Sequence, residues 1–184
     1  MLKVCYVFLA EGFEEIEALT VVDILRRDNI LTETVSITKS KEVTGSHMIT
    51  VKADRTIDEI DTKDAAMLIL PGGMPGTVNL KDCDKLVNML KEFNNTNRHI
   101  AAICAAPTVF GELGFLEGKT ATCYPGMEKQ LLGAKLSTNE VVTDGNITTS
   151  RGMGTAIAFA LEIIKIIDSE TEACAMKRKI VYQQ

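Results

Sequence analysis

Ile100-Ala101-Ala102-Ile103-Cys104-Ala105-Ala106-Pro107 is the stretch that decides the reading of this chain. Four apolar residues run into a cysteine, two alanines follow, and Pro107 opens a helix-like segment. Proline suits a first helical turn because the N–H it lacks would be unbonded there anyway. A strand that stops at a potential nucleophile and turns at once into a helix has the layout of a nucleophile elbow. That layout holds the reactive atom at the carboxyl edge of a sheet, beside unpaired backbone N–H groups. The partly positive helix N-terminus favours a thiolate at Cys104. Ala102, Ala105 and Ala106 leave space around the sulfur. Taken alone, the same residues also describe a small cysteine buried in a core.

Working outward, residues 3–9 form a continuous apolar run, the pattern of a strand covered on both faces. Residues 14–27 carry Ile16, Leu19, Val22, Ile24 and Leu25 near helical spacing, with acidic residues first and Arg26-Arg27 last, as the helix dipole prefers. Residues 32–38 alternate and are β-branched, predicting a strand. Residues 41–51 read as a small irregular hairpin. Strands are expected at 65–70, 98–104, 120–123 and 141–150, the last a hairpin turning at Asp144-Gly145-Asn146. Helices are expected at 83–93, 107–113, 155–167 and 169–179. This alternation predicts an α/β fold, a mostly parallel sheet with helices on both faces, in a single domain over 1–184.

The 184 residues carry 46% hydrophobic and 24% charged side chains and a net charge of −5, ordinary for a soluble globular chain. No basic stripe with interleaved aromatics appears, so nucleic acid is not an expected partner. Lys177-Arg178-Lys179 reads as a solvated last helical turn. No apolar run reaches membrane-spanning length, and Glu11, Glu14, Glu15 and Glu17 follow the first apolar run where a cleavable leader would need small residues. The expected location is cytoplasmic. Five cysteines without CxxC spacing, with only His47 and His99 besides, predict reduced thiols and no metal.

Ligands of such folds bind beyond the carboxyl ends of the strands. Three turns are expected there: 10–14, 71–76 and the Cys104 elbow. Gly72-Gly73 alone describes a tight turn. Beside a nucleophile, the Gly73 and Ala105 N–H groups could form an oxyanion hole. Glu14 and Glu15 are expected at the surface. Glu17 lies on another azimuth and is expected to point inward, protonated, donating a hydrogen bond to the sulfur because two close anions repel. In Ser150-Arg151-Gly152-Met153-Gly154-Thr155, Thr155 is a candidate helix cap, and Arg151 could bind an anion, with tethering of the turn the expected role. His99 is expected to be solvated at a strand entrance.

Together, residues 8–17, 70–73, 101–108 and 149–155 resemble the ThiJ/PfpI family, in the branch of the parkinsonism-associated protein deglycase and its bacterial relatives. The resemblance implies a flavodoxin-like sandwich, like that of class I glutamine amidotransferases, and a homodimer. It implies Cys104 as a readily oxidised nucleophile, Glu17 as the protonated glutamate at the sulfur, and Gly73 with Ala105 as backbone donors. Gly72 and Tyr124 are expected to line the substrate. Arg27 and His47 fall where relatives line an anion pocket across the dimer interface, although the best-known members have Arg at the position of His47. Tyr124, before Pro125, stands where the mammalian branch carries a histidine.

The expected activity is that of a cofactor-independent glyoxalase or protein deglycase acting on 2-oxoaldehydes such as methylglyoxal or on their early protein adducts. The rival reading is an oxidation-sensing or redox-regulated chaperone acting through a Cys104 sulfinate in oxidative stress. A cysteine peptidase is a third, for which Tyr124 supplies no imidazole.

Overall fold

The computed structural model describes residues 4–182, so Lys3, placed by the sequence in the first strand, lies outside the described residues. In chain order the elements are β1 (Val4–Leu9), α1 (Glu15–Arg27), β2 (Thr32–Ser36), β3 (Glu42–Thr44), β4 (Thr50–Lys52), β5 (Arg55–Thr56) and β6 (Ala65–Leu70). There follow α2 (Gly76–Lys81), α3 (Asp84–Asn95), β7 (His99–Ile103), α4 (Pro107–Glu112), β8 (Thr120–Ala121), β9 (Lys135–Leu136), β10 (Val141–Asp144), β11 (Ile147–Ser150), α5 (Ala156–Ile167) and α6 (Glu170–Lys179).

The main sheet has the order β10-β11-β7-β6-β1-β2-β5. All its pairings are parallel except the β10–β11 hairpin. Side chains of a strand alternate between faces, and each face here is covered, which explains the unbroken apolar runs. Tyr6, Phe8, Leu68, Leu70, Ile100 and Ala102 pack under Leu80 of α2, Leu90 and Phe93 of α3 and Phe110 of α4. Cys5, Val7, Leu9, Met67, Ile69, Ala101 and Ile103 pack against Val21 and Leu25 of α1 and Phe159 and Ile163 of α5. The flavodoxin-like sandwich expected from the sequence is therefore present. No helix among the described residues is long and apolar enough to cross a membrane.

Some local expectations need correction. The strand expected at 120–123 stops at Ala121. The sequence carries no helix signal at α2, because Gly76, Thr77 and Val78 are poor helix formers. The helix forms because Leu80, fully buried, packs onto the sheet. Short β5 and β9 carry too few residues to show a period. His99 is half-buried at the start of β7 rather than solvated. Glu14 and Glu15 are buried, not surface carboxylates, because the β3–β4 hairpin folds over them.

Candidate active site

Adjacent parallel strands bring their carboxyl-end turns together. The turns after β1, β6, β7 and β11 lie on neighbouring strands, and they converge on Cys104. Cys104 is half-buried and has φ +66°, a left-handed conformation that side chains rarely adopt and that stores about 1–3 kcal/mol of strain. Two backbone hydrogen bonds hold it there: its N–H donates to Ser150 C=O at 2.9 Å, and Tyr124 N–H donates to its C=O at 2.8 Å. This is the elbow expected from the sequence.

Glu17 points inward as expected and is 1% exposed. Gly72 N–H donates to Glu17 Oε2 at 2.8 Å, and the Glu17 carboxyl shares a hydrogen bond with the Cys104 thiol. Burial pushes the Glu17 pKa up to about 7; the Glu14 charge adds to the rise, and the hydrogen bonds from Cys104 and Gly72 oppose it. Glu17 is therefore partly protonated near neutral pH. Burial also pushes the Cys104 thiol up, and the Glu17 carboxylate raises it further, while the Ala105 and Gly73 N–H groups pull it down. The helix-start donors named from the sequence do reach the sulfur, but desolvation outweighs them. The pair titrates together, and losing the Glu17 proton works against losing the Cys104 proton.

The glycines answer to space. A Cβ on Gly72 would lie 2.7 Å from both Cys104 Cβ and Glu17 Oε2. Gly73 has φ +95°, and a Cβ there would lie 2.4 Å from the Glu14 nitrogen. Only glycine admits such close backbone approach.

Tyr124, Pro125, Arg151, Gly152, Met153, Gly154 and Thr155 line a cleft of about 300 Å³ beside the sulfur. The position a Gly152 Cβ would take is 3.5 Å from the Tyr124 ring and 4.0 Å from Cys104 Sγ. The sequence marked 150–155 as a turn but not as a cleft wall; its two glycines after a strand were the available signal. Thr155 stands at the N-terminus of α5, yet its hydroxyl does not cap that helix. It accepts from Gly152 N–H at 3.1 Å and lies 2.7 Å from Ser150 Oγ, which fixes the turn. Arg151 reaches Thr138 C=O, the tethering role expected.

Glu17, Gly72, Gly73, Ala105 and Tyr124 are thus assembled around Cys104. The remaining two named residues are not. Arg27 lies ten residues beyond Glu17, about 15 Å along α1, and pairs with Asp23 at 2.6 Å. His47 sits on the β3–β4 turn with Nδ1 3.1 Å from Glu15 Oε2 and 3.5 Å from Glu14 Oε2.

A family model described as the DJ-1/PfpI family matches residues 3–166, which include every group around the sulfur. The chain belongs to the DJ-1/PfpI family. Among DJ-1 relatives, it is 31% identical over 183 residues to the Parkinson disease protein 7 homolog of Danio rerio, covering 97% of each chain. It is 38% identical over 158 residues to the Arabidopsis thaliana protein DJ-1 homolog B. The matches cover 36% and 40% of the two Arabidopsis proteins, homologs B and A, so the chain spans well under half of those relatives. The solved structure of oxidized Toxoplasma gondii DJ-1 superposes with a TM-score of 0.94 at 32% identity, covering 99% of this chain and 100% of that one. These similarities support the DJ-1 branch of the family.

Proposed function

We propose that this chain is a cysteine-dependent glyoxalase or protein deglycase, acting on 2-oxoaldehydes such as methylglyoxal or on their early adducts with proteins. The observation that carries this reading is the hydrogen bond between the buried Glu17 carboxyl and the Cys104 thiol. A proton acceptor with a pKa near the working pH is suited to carry protons both ways.

Cys104, deprotonated, adds through sulfur to the aldehyde carbon and forms a hemithioacetal. The N–H groups of Gly73 and Ala105 stabilise the oxyanion. Glu17 removes the proton from that carbon and returns it to the neighbouring carbonyl carbon through an enediol. The product is a thioester of the 2-hydroxy acid, which water hydrolyses to free the thiol. The aldehyde carbon is oxidised and the ketone carbon reduced within one molecule, so the net change is addition of water. Gly72 and Tyr124 bound the substrate. A homodimer, in which Arg27 and His47 would face an anion pocket at the subunit boundary, belongs to the same proposal.

The test is direct NMR detection of lactate from methylglyoxal in thiol-free buffer, with Cys104→Ser and Glu17→Gln as comparisons. Lactate formation that falls at least a hundredfold in both variants supports the reading. An unchanged rate in Cys104→Ser would sink it. The rival reading, an oxidation sensor, draws on the same donors, since Gly73 and Ala105 N–H groups directed at the sulfur would also hold sulfinate oxygens. Selective dioxidation of Cys104 at low peroxide, without lactate, would favour that rival.

A further inference from the structure

The cleft beside Cys104 holds a charge that the sulfur chemistry does not use. Of the residues that line it, Arg151 alone is charged; Tyr124 and Pro125 on one side and the 152–155 turn on the other are neutral. Arg151 is half-buried. Its one hydrogen bond among the described residues runs from a guanidinium N–H to Thr138 C=O at 3.4 Å, beyond the usual range of about 2.7–3.2 Å. Among the same residues it makes no ion pair. The arginines beside other clefts are engaged differently: Arg26 pairs with Asp54 and Arg27 with Asp23, each at 2.6 Å. The Glu128 carboxylate lies near enough to feel the Arg151 charge, but its oxygens accept from Gly126 N–H at 2.9 and 3.1 Å.

The backbone fixes where this side chain starts. Ser150, just before it, ends β11 and accepts from Cys104 N–H at 2.9 Å; Gly152, just after it, donates to Thr155 Oγ1 at 3.1 Å. The position a Gly152 Cβ would take is 4.0 Å from Cys104 Sγ. Adjacent Cα atoms are about 3.8 Å apart, so the Arg151 Cα lies within about 9 Å of the sulfur. A guanidinium stays charged at working pH and offers five N–H donors in a planar fork that grips a carboxylate through two parallel bonds. The Thr138 contact uses one donor and steadies the fork. Neutral walls screen the charge less than water does.

We infer that Arg151 determines substrate specificity at this site, selecting 2-oxoaldehydes whose far end carries a carboxylate over uncharged ones of the same length. This rests on the glyoxalase reading of the same cleft and adds a substrate class to it. The aldehyde meets Cys104 Sγ while the far carboxylate meets the Arg151 fork. A cleft of about 300 Å³ has the volume of a small-ligand site. A suitable probe is 4,5-dioxopentanoate. The thiol adds to its aldehyde carbon, the proton on that carbon moves to the ketone carbon, and water releases the thiol. The aldehyde carbon is oxidised, the ketone carbon is reduced, and the product is 2-hydroxyglutarate. The far carboxylate is unchanged and no external oxidant is needed.

The test compares kcat/KM for 4,5-dioxopentanoate with that for its uncharged methyl ester, by NMR detection of the hydroxy acids. Wild type should prefer the carboxylate about tenfold or more, chiefly through KM, the scale of a charged hydrogen-bonded contact. In Arg151→Gln the ratio should fall to near one. Arg151→Lys keeps the charge without the fork and should fall between them. A ratio taken within one protein is insensitive to lost folded material, so a merely structural role would leave it in place. No preference in wild type, or the wild-type ratio in Arg151→Gln, would overturn the assignment. If neither aldehyde yields product, the glyoxalase reading fails, and the Arg151 contact is decided by protection instead. Then 2-hydroxyglutarate should slow iodoacetamide alkylation of Cys104 in wild type at about a tenth of the concentration needed in Arg151→Gln. Equal protection in the two proteins, or none, would overturn the contact as well.

Discussion

Glu17, in the first turn of α1, shares a hydrogen bond with the thiol of Cys104, at the end of β7, while Gly72 N–H holds the carboxyl in place at 2.8 Å. Neither group can be ionised without altering the other. The carboxylate raises the thiol, and each proton the pair holds is favoured by burial.

Replacing that carboxyl should therefore separate thiol reactivity from turnover. In Glu17→Gln the anion beside Cys104 is gone, so the thiol pKa falls. The pH profile of iodoacetamide alkylation at Cys104 should move to lower pH, and alkylation at a fixed pH should quicken. Lactate formation in the same variant should drop by a factor of about a hundred or more, because the proton carrier is lost. An alkylation profile that stays where the wild-type profile lies would contradict the coupling.

Stability should depend on pH through the same residue. Glu17 releases its proton near its ordinary 4.5 in the unfolded chain and near 7 in the folded one. Between those values the folded state binds the extra proton, so stability falls as pH rises across the window and the loss is complete above it. The shift corresponds to about 3 kcal/mol. Urea unfolding of Glu17→Gln across the same pH range should show a flatter dependence. Equal slopes in the two proteins would place the titration elsewhere.

Gly72→Ala should damage fold and site together. The new methyl would lie 2.7 Å from Cys104 Cβ and from Glu17 Oε2, too close without backbone movement. Overpacking of this kind costs about 1–3 kcal/mol. Gly154→Ala is the comparison, since a methyl there meets no atom within 4 Å. It should stay within about 0.5 kcal/mol of wild type. Thermal denaturation measures both, and equal midpoints for the two variants would refute the crowding at Gly72.

Tyr124 should act on substrate binding more than on folding. Its ring is half exposed and forms one wall of the cleft beside Gly152 and the sulfur. Tyr124→Ala should raise KM for methylglyoxal about tenfold, the scale of one lost pocket contact, with a smaller change in kcat. Unchanged kinetics would remove Tyr124 from the substrate wall.

Much of this was legible along the chain. The apolar runs at β1, β6 and β7 gave a parallel sheet because strands covered on both faces have no polar alternation. The small residues around Cys104 gave the elbow, and the azimuth of Glu17 on its helix gave its inward direction. These signals survive in sequence because each depends on residues within a turn or two of one another.

The strand order, the burial of Glu14 and Glu15, and the meeting of both with His47 were decided only by the tertiary structure. The order β11-β7-β6-β1 brings four separate turns to one edge, and no local pattern encodes which strands become neighbours. The β3–β4 hairpin covers two glutamates that local patterning assigns to solvent, because the backbone N–H groups of His47 and Ile49 donate to Glu15 and the Ser46 hydroxyl donates to Glu14, all from outside the helix. Periodicity records which face of an element is buried. What that face meets depends on crossovers between segments far apart in the chain, and there the physical environment of Cys104, Glu17 and Glu15 is set.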